Sequence, residues 1–84
     1  MFVIMVYDVA AKRVNRVRKI AEKYLFPVQH SLFQGYLSEK QLRKIQNELS
    51  LILLPDDDNV IFYKSDFGLQ VDELGGSDDY DMIL

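Results

Sequence analysis

The run Phe2 to Asp8, FVIMVYD, limits the fold of this chain more than any other stretch. Phe2, Ile4 and Val6 alternate with Val3, Met5 and Tyr7, so a strand built from these residues is apolar on both faces. Such a strand belongs in the interior of a sheet, with a layer on each side. The run stops on Asp8, and an isolated buried carboxylate is too costly to keep. Asp8 is therefore expected to be hydrogen-bonded, paired or metal-bound.

The chain has 84 residues, enough for one domain. A domain this small buries a modest share of its surface, so association is a natural way to gain core. With 49% hydrophobic and 27% charged residues, it is expected to be ordered and globular. It contains no cysteine, which excludes disulfides and thiolate zinc sites. The apolar N-terminal run has no basic leader and ends too early for a signal peptide or a membrane span, so a cytoplasmic location and no membrane partner are expected.

Helical spacing begins at Val14 and continues through Val17, Ala21 and Tyr24, ending before Pro27. Lys12, Arg16, Lys19 and Lys23 fall on the opposite face at i, i+4, i+7 and i+11, with Arg13 and Arg18 flanking them. Residues 28–37 alternate as a second strand, in which Gly35 marks a bulge or a close approach. Residues 27–31 and 32–37 can equally form a hairpin of two strands; both readings stay open. Ser38 and Gln41 have capping-box spacing before a second helix with Leu42, Ile45, Leu49 and Ile52 as its buried stripe. Pro55 follows its end, residues 56–59 make a turn, and Val60 to Lys64 form another apolar strand. Leu69 to Leu74 read as a weaker, edge-like strand. Gly75-Gly76 then opens a tail, which divides the chain into a domain at 1–76 and an acidic, partly apolar tail at 77–84 suited to adding a strand to a partner.

Charge is divided along the chain. Residues 1–44 carry nine Lys or Arg against three acids, a net +6, whereas residues 45–84 carry one Lys against ten acids, a net −9. The pattern favours phosphate contact in the first half and a basic partner for the second. Lys40, Arg43 and Lys44 open the second helix and extend the positive surface. His30, the single histidine, has no neighbouring ligands for a metal and reads as structural.

If two helices cover one sheet face, the second apolar face of the first strand calls for a further cover. A second copy related by a two-fold axis is the simplest one. An axis near the end of that strand would bring two Asp8 carboxylates together, and magnesium, which binds through one or two carboxylates plus waters and phosphates, would relieve their repulsion. The plainer reading has Asp8 capping the first helix.

The opening strand ending Tyr7-Asp8, the basic first helix, Gln29-x-Ser31-x-Phe33-x-Gly35 and the closing VIFYKSD together resemble CRISPR-associated protein 2 over residues 2 to about 74. The resemblance implies an α+β, ferredoxin-like βαββαβ fold with both helices on one face of an antiparallel sheet, here with an extra C-terminal strand. It implies a homodimer with Asp8 of each chain as the catalytic residue and ligand of one Mg2+ ion at the interface, and metal-dependent endonuclease activity on RNA or DNA. It also implies a scaffold role in CRISPR adaptation, in which the dimer holds double-stranded DNA and bridges the CRISPR integrase. Lys12, Arg13, Arg16, Lys19 and Lys23 are the nucleic-acid-binding candidates. The position before Val28, often basic in that family, is Pro27 here. An alternative reading is a toxin-like, metal-dependent ribonuclease resembling the virulence-associated protein D family.

Overall fold

The computed structural model describes residues 1–66. Six elements follow one another: β1 (Phe2–Asp8), α1 (Ala11–Glu22), β2 (Phe26–Gln29), β3 (Leu32–Tyr36), α2 (Glu39–Ser50) and β4 (Asn59–Ser65). They build one four-stranded sheet in the order β2-β3-β1-β4. Every neighbouring pair is antiparallel. It follows that β1 runs parallel to β2 with β3 between them, and β3 runs parallel to β4 with β1 between them. Two interlocked split βαβ units of this kind are the ferredoxin-like fold expected for the chain. The proposed strand at Leu69–Leu74, the boundary at Gly75-Gly76 and the tail at 77–84 lie outside the described residues.

The interior position of β1 follows from its two-sided apolarity. Val3, Met5 and Tyr7 face the helices and pack with Val17 and Ala21 of α1 and with Leu42, Ile45 and Leu49 of α2. Both helices therefore lie on one face of the sheet. Phe2, Ile4 and Val6 point to the other face. The register aligns Met5 with Phe33 on one side and with Phe62 on the other, which continues the helix-facing layer across three strands.

The stretch read from sequence as one strand or two is a hairpin. Its strands meet at His30 and Ser31, and Gln29 pairs with Leu32. Ser31 takes a left-handed backbone with φ of 61°, a conformation that costs a non-glycine residue roughly 1–2 kcal/mol. Its carbonyl accepts a 3.0 Å hydrogen bond from the Tyr7 amide, which fastens the turn to the end of β1. The irregularity in this hairpin lies between Pro27 and Gln29 rather than at Gly35. Gly35 is a point of close approach: a Cβ there would meet Leu25 Cδ2 at 3.1 Å.

Helix α2 starts as the capping-box spacing predicts. The Gln41 amide donates to Ser38 Oγ at 3.1 Å, and the Ser38 amide donates to Gln41 Oε1 at 2.9 Å. Helix α1 starts differently. Its N-cap, Ala10, has no side-chain oxygen, and Asp8 does not cap the helix. No helix among the described residues is long and apolar enough to cross a membrane.

Candidate functional site

Asp8 closes β1 with its side chain exposed, opposite Asn59 of β4. In a single chain it is thus not the buried charge that its apolar approach suggests. Strand alternation puts it on the face of Phe2, Ile4 and Val6, away from the helices. It makes no hydrogen bond or ion pair among the described residues. No cluster of three or more His, Cys, Asp or Glu side chains occurs among them either. Asp8 therefore stands outside any carboxylate cluster of the described residues, at the end of a largely apolar surface. That surface includes Tyr36, which is 72% exposed and packs edge-to-face on Phe2, together with Ile61 and Tyr63 of β4.

The basic candidates separate into two groups. Lys12, Arg16 and Lys19 are exposed on the outer side of α1 and have no acidic partner among the described residues. Lys40 and Arg43 of α2 are exposed and unpaired in the same sense. The helix layer therefore carries five cations whose charge no acid of the described chain neutralises.

Arg13 leaves the set of nucleic-acid candidates. It is 7% exposed, and its guanidinium grips Asp58, with Nε at 2.6 Å from Oδ2 and an NH2 nitrogen at 3.0 Å from Oδ1. The Asp58 side chain is fully buried and also accepts from the Ala10 amide at 2.9 Å and the Leu54 amide at 2.8 Å. The Arg13 contact and these two amides hold the Asp58 carboxyl well below the usual carboxylate range against the opposing effect of burial. Asp58, rather than Asp8, thus secures the start of α1. Sequence separation hid the pair, but the position of Arg13 was readable: it stands four residues before Val17 and eight before Ala21, in phase with the buried stripe.

Lys23 is also engaged. Its ammonium pairs with Glu48 of α2, which accepts from the Tyr24 hydroxyl as well. These donors, with Lys23 first, lower the Glu48 pKa, and Glu48 in turn raises those of Lys23 and Tyr24. Glu48 therefore places a negative charge at the seam between two basic helices. His30, on the hairpin turn, is exposed and stands in no metal-ligand cluster of the described residues.

Comparison with known proteins agrees with this arrangement. The sequence profile of the family described as CRISPR associated protein Cas2 matches residues 1–67. The chain is 47% identical over 66 residues to a protein of Thermotoga maritima named CRISPR-associated endoribonuclease Cas2, covering 79% of this chain and 76% of that one. It is 41% identical over 63 residues to a protein of the same name from Dictyoglomus turgidum, covering 75% and 72%. A crystal structure of Cas2 superposes with a TM-score of 0.75 at 41% identity, covering 99% of this chain and 98% of the other. Streptococcus pyogenes Cas2 gives a TM-score of 0.79 at 29% identity, covering 89% and 100%. With its split βαβ sheet and a profile match across all the described residues, the chain belongs to the Cas2 family of CRISPR-associated proteins.

Proposed function

We propose that the chain acts in CRISPR adaptation as a homodimer that holds duplex nucleic acid by its backbone and bridges the integrase. The observation that carries this reading is the row of unneutralised cations on the helix layer, Lys12, Arg16, Lys19, Lys40 and Arg43. Lysine and arginine without base-reading partners suit the sequence-independent phosphate term of binding. The net −9 of residues 45–84 suits a basic protein partner such as the integrase.

The sheet face opposite the helices supports the dimer. Phe26, Tyr36, Ile61 and Tyr63 leave large apolar area in water, the kind of patch that an associating surface uses. A second copy on this face brings its own Asp8 to the border of the same surface. An exposed, unpaired carboxylate from each subunit fits a magnesium ion, which keeps waters and uses few protein ligands. When bound, the ion supplies stabilisation of charge developing on a phosphate. Asp8 of each subunit would hold it there. The relatives named endoribonucleases favour nuclease activity as a second capacity of this site.

Asp8→Asn separates the two capacities, because asparagine keeps the shape of the side chain and removes the charge that attracts the cation. RNA or DNA cleavage should fall by two or more orders of magnitude, while dimerisation, duplex binding and integrase-dependent spacer integration persist. Cleavage that survives in the variant refutes the metal role of Asp8. Loss of integration by a folded dimer refutes the scaffold as the role independent of Asp8.

A further inference from the structure

Between α1 and the β2–β3 hairpin runs a groove of about 520 Å³, within the size range of small-molecule sites. It lies on the helix side of the sheet, so a dimer formed through the opposite face leaves it open. Tyr7 sits at its base. That residue is 5% exposed, and its hydroxyl finds no hydrogen-bond partner among the described residues. A hydroxyl that lines a groove without a protein partner is free to bond a bound ligand. Arg18, His30 and Ser31 add further donors to the lining, whereas Val14 and Pro27 supply apolar walls.

Among the described residues the lining contains no carboxylate. Among the described residues Arg18 has one acidic contact, Glu22, at 3.4 Å on the exposed helix surface, an ion pair of a kind that contributes little and exchanges readily. The one non-glycine residue with positive φ among the described residues, Ser31, stands on the rim. Strained backbone of this sort gathers at ligand sites. A ligand matching this lining has a flat apolar part and an anionic part rich in acceptors.

We propose that this groove holds a single unpaired nucleotide together with its phosphate, the phosphate on Arg18 and the base between the apolar walls with a polar edge on the Tyr7 hydroxyl. The proposal rests on the nucleic-acid reading only for the source of that nucleotide, which would be an unpaired end beside the duplex on the basic stripe.

The test is titration of the full chain with adenosine 5′-monophosphate, followed by backbone amide NMR. Saturable shifts are expected at Tyr7, His30 and Ser31. Adenosine and inorganic phosphate should each bind at least about tenfold more weakly than the nucleotide, which corresponds to about 1.4 kcal/mol. Arg18→Gln should weaken the nucleotide by a similar factor, and Tyr7→Phe, which keeps the ring and removes the hydroxyl, should weaken it severalfold. The triple variant Lys12→Ala, Arg16→Ala, Lys19→Ala should retain nucleotide binding while losing duplex binding, so failure of the duplex reading is distinguishable from failure of this one. Shifts confined to the basic stripe, or equal affinity for nucleotide and inorganic phosphate, overturn the proposal. So does a glutamate-rich peptide that saturates the groove where the nucleotide does not, which would make it a protein-docking site.

Discussion

The Arg13 guanidinium and the Asp58 carboxylate join across 45 positions of sequence through two hydrogen bonds, of 2.6 and 3.0 Å, in a place with almost no solvent access. The contact ties the turn before β4 to the first turn of α1. It also removes one arginine from the basic surface and assigns it to the fold.

Stability should consequently fall in acid along a particular course. The Asp58 carboxyl has a folded-state pKa below its unfolded value, so its contribution is present in full above the ordinary carboxylate range. It is lost progressively as the pH drops below about 4 and the unfolded chain begins to take up the proton preferentially. Thermal melts of native protein and Asp58→Asn from pH 7 to pH 2.5 check this. The variant should melt lower at pH 7 and show a weaker decline toward acid; parallel curves would contradict the assignment.

How far the sequence revealed these arrangements depends on how local each signal is. The capping box of Ser38 and Gln41 spans three residues and is realised by both of its hydrogen bonds. The two-sided apolar pattern of β1 placed it inside the sheet, because period-two alternation is a property of neighbouring residues. The hairpin turn was ambiguous, since His30-Ser31 lacks the glycine or asparagine that normally marks a left-handed turn position, and tertiary contacts impose that conformation on Ser31. Gly35 was recognisable as special, but its reason, the packing of Leu25 against it, is not local. Asp8 was noticed for its apolar approach, yet it ends exposed on the sheet face away from the helices, the face on which we place the second subunit.

Tyr36 and Ile61 provide the check on that cover. Replacing each with aspartate puts charge in the middle of the proposed interface, where hot-spot residues typically contribute about 2 kcal/mol or more. Light scattering of the native protein should give about twice the 9.8 kDa chain mass, and the double variant should give one chain mass with its helical circular dichroism intact. A monomeric native protein would also remove the case for paired Asp8 residues.

Glu48 should restrain binding to the backbone. It stands between Lys23 and Lys44 and accepts from Lys23 and Tyr24. Glu48→Gln removes one negative charge from the seam and frees Lys23, so duplex affinity at 50 mM salt should rise by about two- to fivefold, the scale of one exposed charge contact of up to ~1 kcal/mol. Filter binding or fluorescence anisotropy reads this directly; weaker binding by a folded variant would show that Glu48 organises the surface rather than opposing the phosphate.

The salt dependence of duplex binding tests the central claim most directly. Each phosphate neutralised by a cation contributes a slope of about 0.9 in log affinity against log salt. Simultaneous alanine replacement of Lys12, Arg16 and Lys19 should therefore flatten the slope by about 2.7 for each subunit that contacts the duplex, with similar losses for duplexes of unrelated sequence. An unchanged slope in a folded variant would contradict the account and leave the stripe as a solvated helix face.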